Sequence, residues 1–252
     1  MILFRRGFVV LCLMVAFGLA ACSAGSDERS VPSSNPEVSG SGTVPDFVLD
    51  TDPSAVSGCV EAGDITLVLD SPGVPAEALT FGEGDRAVIL GHQAEQGPCA
   101  WAAFGRELAA QGWRVFIPEL NHEPLPLLQA SVDWLTGNGV TSFALVGASM
   151  GGAFALSAAP DLAPEPSEVV AISSPASYGP ADALGNIGRI GVPVTLIAAE
   201  DDDDFAEQAQ LMNDQNADAE LVIVPGSAHG TDLLDANTDV RGAVLASLEA
   251  VR

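Results

Sequence analysis

Val146-Gly147-Ala148-Ser149-Met150-Gly151-Gly152 is the stretch that decides how the rest of the chain is read. The apolar run Ser142–Val146 leads into it, and an Ala-rich, helix-compatible segment leaves it. Gly-x-Ser-x-Gly at a strand-to-helix junction is a turn too tight for side chains two residues before and two residues after the serine. Ser149 is then expected in a strained conformation with its hydroxyl presented. The start of the following helix lies beneath it, where developing negative charge is favoured. Five such residues recur by chance in Gly-rich chains, so the strand before and the helix after give the pattern its weight.

Outward from this junction, apolar runs and helical patterns alternate. Ile65–Leu69, Leu79–Phe81 and Ala87–Gly91 are expected strands, the last a short buried run. Cys99–Gln111 is an expected helix ended by Gly112, Trp113–Ile117 a strand stopped by Pro118, and Leu127–Leu135 a helix. After the Ser149 junction come strand Glu168–Ile172, strand Val194–Ala198, helix Phe205–Gln215, strand Leu221–Val224 and a helix over Thr231–Val251. Such alternation implies βαβ units and a mostly parallel sheet covered on both faces. Sites on such sheets form at the C-terminal ends of the strands.

A serine nucleophile needs a base within hydrogen-bond reach. The chain offers His92, His122 and His229. His229 follows the last strand among small residues, Gly226-Ser227-Ala228-His229-Gly230, which let a loop carry the imidazole over the sheet edge. The acid is expected in Asp201-Asp202-Asp203-Asp204, after the preceding strand, because one carboxylate must orient the imidazole and stabilise its charged form. Asp204 with Glu207 has the spacing of a capping box for the next helix. His92 follows strand Ala87–Gly91 and is expected to be structural there. In that loop the N–H of Gln93 or Ala94 would join Met150 N–H as an oxyanion donor. His122 is placed either at a pocket wall or on the surface. No His/Cys cluster has metal-ligand spacing, the four adjacent Asp lack the spacing of a Ca²⁺ loop, and no Gly-rich dinucleotide fingerprint follows a strand, so neither metal nor cofactor is expected.

The N-terminus reads as a targeting segment. Arg5 and Arg6 precede an apolar run from Phe8 to Ala21, too short for a comfortable membrane span. It closes on Leu19-Ala20-Ala21-Cys22, which resembles the bacterial lipobox, where the cysteine thiol is lipidated and becomes the mature N-terminus. The expected layout is a signal peptide over 1–21, a lipidated N-terminus and flexible Ser/Gly/Pro-rich linker over 22–58, and a folded domain over 59–252. That layout places the domain outside the cytoplasm, tethered to the cell envelope through Cys22. Cys59 and Cys99 remain as an even pair in an oxidising compartment, where a disulfide is the default. With 34 Asp and Glu against 9 Arg and no Lys, the net charge is −25, which excludes nucleic-acid binding and disfavours docking of the domain itself on anionic lipid. The chain carries no legible sign of oligomeric state.

From Cys59 to the C-terminus the chain resembles α/β-hydrolases of the dienelactone-hydrolase type. The resemblance is carried by Gly91-His92-Gln93, Cys99-x-Trp101, Val146–Gly152, Ser174-Pro175-Ala176, Ala198–Asp202 and Gly226–Gly230. It implies the α/β-hydrolase fold and a triad of Ser149, Asp202 and His229, Asp202 lying three residues beyond Ala199. Gln93 departs from the Gly that many members carry in the oxyanion loop, and Ala199 from the usual Gly before the acid loop. Ser173–Pro193, where large caps are inserted in such proteins, is too short to bury a core of its own, so no large cap and a preference for short acyl chains are expected. The functional expectation is a serine hydrolase acting on an ester, thioester or related acyl bond of a small molecule. The alternative is a non-catalytic surface lipoprotein that uses the same fold as a binding module.

Overall fold

The computed structural model describes residues 56, 58–71, 74–121 and 123–251. The expected leader, Cys22 and most of the linker lie outside the described residues, as does His122. The chain opens with an antiparallel pair, β1 (Ile65–Ser71) and β2 (Val74–Phe81), and continues through β3 (Arg86–Gly91) and α1 (Ala102–Ala110). Next come β4 (Arg114–Pro118), α2 (Pro124–Gly137), β5 (Ser142–Ala148), α3 (Met150–Ala158) and β6 (Glu168–Ile172). A two-stranded hairpin, β7 (Ser177–Tyr178) and β8 (Ala181–Asp182), and the short α4 (Ala183–Ile187) precede β9 (Val194–Ala199). The chain ends with α5 (Phe205–Gln215), β10 (Glu220–Val224), α6 (Gly230–Ala236) and α7 (Thr238–Glu249).

Eight strands form one sheet in the order β1-β2-β4-β3-β5-β6-β9-β10. β2 runs antiparallel to β4, and every pairing from β4 to β10 is parallel. The period-two geometry of a strand sends alternate residues to opposite faces, and here both faces are buried. On β5, Phe143 and Leu145 enter one core, and Ala144, Val146 and Ala148 the other. On β9, Leu196 and Ala198 divide from Ile197 and Ala199 in the same way. The first core holds Phe116, Trp134, Phe154 and Met212 under α2, α3 and α5; the second holds Trp101, Phe104, Val240 and Leu248 under α1 and α7. After β3 the chain moves outward to β4, then returns past β3 to β5. This reversal leaves a crevice at the C-terminal ends of β3 and β5, where open parallel sheets bind ligands.

Three local expectations change. The segment expected as one helix over Thr231–Val251 is two, because Asn237 takes an extended conformation and its side chain accepts from Asp239 N–H and Val240 N–H, capping α7 afresh. Asp204 stands at the N-cap of α5, but its side chain makes no capping hydrogen bond, so the box with Glu207 does not form. β2 begins at Val74, well before Leu79, because pairing with β1 extends it beyond the part that reaches β4. The expected disulfide is present between Cys59 and Cys99 and ties the segment before β1 to the 3₁₀ turn Pro98–Trp101.

Candidate active site

Ser149 closes β5 and opens α3 at φ 49° and ψ −116°, in a region that L residues rarely occupy. The neighbouring glycines explain how the chain holds it there. A Cβ on Gly147 would overlap the Gly151 carbonyl, and one on Gly151 would overlap the carbonyl of Gly91 at the end of β3. The first turn of α3 is therefore pressed against the ends of β3 and β5 with no room for a side chain. Ser149 N–H donates to Ile172 O on the neighbouring strand (2.8 Å). The first intrahelical bond of α3 runs from Ala153 N–H to Ser149 O, so Met150 N–H belongs to the helix start, where amides lack intrahelical partners.

The carboxylate and the imidazole arrive from the far side of the sheet. Glu200 N–H and Asp201 N–H donate to Val224 O and Gly226 O, so the loop after β9 is stitched to the loop after β10. Asp202 then lies buried, 5% exposed, while Asp201, Asp203 and Asp204 are exposed. Both Asp202 oxygens lie within reach of His229 Nδ1, at 2.9 and 3.1 Å. An ionised carboxylate can only accept, so facing Asp202 it is Nδ1 that carries the proton, and Nε2 is left as the basic nitrogen. Phe205 packs against the imidazole with ring centroids 4.4 Å apart. Ser149 Oγ makes no hydrogen bond to His229 here; such bonds are often long in unliganded sites and tighten around a substrate.

The loop after β3 completes the site. Leu120 N–H donates to His92 Nε2 (2.9 Å), so the proton sits on Nδ1 and is donated to Gln93 O (2.9 Å). His92 is thus the structural histidine that was expected. Burial lowers its pKa, outweighing the hydrogen bond to Gln93, and its 3.6 Å approach to Glu119 is not an ion pair. The Glu119 carboxyl is itself pushed up, by burial and then by the charge of Glu77. With the Gln93 carbonyl turned toward His92, the orientation of the Gln93–Ala94 peptide, and so of the Ala94 N–H, is set.

Gln93, Ser173 and Phe205 support the site in ways the sequence reading missed. Gln93 Oε1 accepts from Thr231 N–H (3.0 Å) and Thr231 Oγ1 (3.3 Å), fastening the β3 loop to the residues after His229. Gly230 sits between them at φ 57°, where a side chain would overlap the Gln93 amide. Ser173 Oγ accepts from Gly230 N–H (3.1 Å). These partners lie 138 and 57 residues apart, so no local pattern announces them.

A pocket of about 420 Å³ opens beside Met150. Its walls are Leu120, Asn121 and Glu123 from the segment after β4, Met150 and Phe154 from α3, and Tyr178 and Pro180 from the β7–β8 hairpin. The segment between β6 and β9 therefore supplies one wall of the pocket without building a cap domain. A hydroxyl at a helix start, an imidazole oriented by a buried carboxylate and an adjoining pocket with apolar walls can together carry out acyl transfer.

Residues 121–237 match the model of the dienelactone hydrolase family. The chain has the α/β-hydrolase fold. It is similar to a hydrolase from Pseudomonas aeruginosa (TM-score 0.62, 16% identity, covering 75% of this chain and 99% of that one). It is also similar to a solved structure from work on carboxylesterases of the thaumarchaeon Nitrososphaera gargenis (TM-score 0.61, 13% identity, 72% and 97% covered). A dienelactone hydrolase from Anabaena variabilis aligns at TM-score 0.59 with 19% identity, over 73% of this chain and 94% of that one. No curated protein sequence matches the chain.

Proposed function

We propose that this chain is a serine hydrolase that cleaves carboxylester or thioester bonds through an acyl-enzyme on Ser149. The observation that carries the reading is the His229–Asp202 pair on the loops after β9 and β10, on the same sheet edge as the strained Ser149 elbow. In this mechanism Ser149 Oγ attacks the substrate carbonyl and His229 Nε2 takes its proton. Asp202 holds the imidazole in the required tautomer and stabilises its charged form. The tetrahedral oxyanion is met by Met150 N–H and by the N–H of Gln93 or Ala94. The tetrahedral intermediate collapses, the alcohol or thiol leaves with the proton from His229, and water then releases the acyl group by the same steps in reverse roles. The family match over residues 121–237 supports ester chemistry of this kind.

Ser149→Ala removes one oxygen, so turnover of a short p-nitrophenyl ester and fluorophosphonate labelling should both vanish while the thermal unfolding midpoint stays in place. Retained turnover at the parental rate, or labelling at another residue, would overturn the assignment. We also propose that Cys22 carries lipid and anchors the protein to the outside of a bacterial membrane; this rests on the Leu19–Cys22 tetrapeptide and the apolar run before it. Metabolic labelling with a fatty acid should be lost in Cys22→Ser, and labelling that survives the substitution would refute it.

A further inference from the structure

The described arginines are distributed unevenly over the two edges of the sheet. The loops that leave the C-terminal ends of the strands, around the crevice, carry Glu95 after β3, Glu119 and Glu123 after β4, and the run Glu200–Asp204 after β9. Glu123 is the single charged residue among the described residues lining the pocket beside Met150. No arginine stands on these loops. Of the five among the described residues, Arg86 and Arg114 open β3 and β4 at the opposite edge of the sheet. Arg106 on α1 is held by Asp64 and Glu61, Arg189 by Asp161, and Arg241 on α7 by Glu107. The chain has no lysine with which to make up the difference.

An acyl group seated against Leu120, Met150, Phe154 and Tyr178 therefore meets apolar walls and the Glu123 carboxylate, with no guanidinium or ammonium among the described lining residues. A carboxylate carried on that acyl group would leave water for an apolar surface without a counter-charge, inside a field of its own sign. We infer that the site takes acyl substrates whose acyl chain bears no negative charge and rejects acyl chains that end in a carboxylate. The inference rests on the ester-cleaving reading above and narrows its substrate class.

The test compares three methyl esters of matched length by pH-stat titration of the full-length protein at pH 8: methyl hexanoate, monomethyl adipate, and the methyl ester of 6-(trimethylammonio)hexanoic acid. The quaternary ester separates charge sign from the cost of bringing any charge to an apolar wall. At low salt kcat/KM for the adipate should fall at least about tenfold below that for the cationic ester, the scale expected of several carboxylates acting through a partly solvated cleft. The gap should close as NaCl is raised to about 1 M, where the screening length is about 3 Å. Glu123→Gln should narrow the cation-to-anion ratio at low salt. Equal turnover of the adipate and the cationic ester at low salt, or a gap indifferent to both salt and Glu123→Gln, overturns the charge selection while leaving ester cleavage intact. Failure to hydrolyse any of the three, with no turnover of a short p-nitrophenyl ester or thioester either, overturns the ester-cleaving reading and this inference with it.

Discussion

Asp202 differs from its three acidic neighbours in burial and in partner. It alone of Asp201–Asp204 is shielded from solvent, and it alone of the run meets the His229 imidazole. Replacing it by Asn keeps the shape but lets the side-chain amide favour the wrong imidazole tautomer, a change that can cost about 10⁴ in turnover. Asp202→Asn should therefore abolish nearly all ester turnover, and Asp201→Asn, Asp203→Asn and Asp204→Asn should stay within a few-fold of the parent. A dominant loss at Asp201 would move the acid by one position. Ser149 and His229 were legible because each sits in a pattern whose geometry is local, a turn that excludes side chains or a loop of small residues. Gln93 is different. Its backbone position marked it as a possible oxyanion donor, but its side chain spans to Thr231, and only folding brings those two residues together.

At the scale of elements, the strands were legible where both faces are buried, because a run such as Ala87–Gly91 has no alternative to the core. The eight strands of the main sheet were read in their order along the chain, and the β7–β8 hairpin was not. Helix ends were less legible, because capping is decided by one rotamer. Asn237 looks like any polar residue in a helical pattern, yet its side chain captures two amides and divides α6 from α7. Asp204 has the spacing of a cap and does not act as one; it leads α5 with φ −102° and ψ 8°, outside the extended conformation typical of an N-cap. The segment between β6 and β9 was read as too short for a cap. It is also long enough to fold a hairpin that brings Tyr178 and Pro180 to the pocket, a role fixed by where the hairpin packs.

At the scale of the molecule, acidity has a cost at the end of the sheet remote from the site. Glu168 opens β6 and is buried beside Thr195 and Ser247, in a cavity of about 360 Å³ that Asp218 and Glu220 also line. Burial pushes its carboxyl up to about 7; the bond from Thr195 opposes this and the charge of Glu220 adds to it. A carboxyl whose folded-state pKa is raised is favoured in the protonated form. Its contribution to stability is complete below the unfolded-state value of about 4.5 and is lost as pH rises through about 7. Glu168→Gln keeps the neutral form at every pH. By urea unfolding the variant should gain on the parent between pH 5 and pH 8, by roughly 1–3 kcal/mol at the higher pH. A stability difference that does not change over that range would show that Glu168 ionises freely in the folded protein.

The sequence by itself determined the alternation of strand and helix, the Ser149 elbow, the order of serine, acid and histidine, the pairing of Cys59 with Cys99, and the excess of acid over base. Each of these is a short-range pattern or a count, and short-range sterics and composition do not wait for the fold. Tertiary structure alone decided that Asp202 is shielded beside His229 while its acidic neighbours stay exposed, how His92 sets the Gln93–Ala94 peptide, how Gln93 and Ser173 fasten the residues after His229, and that the described arginines stand away from the crevice. Those facts depend on which loops meet at the C-terminal edge of the sheet. That meeting is set by packing between segments up to 138 residues apart, for which a linear pattern carries no signal.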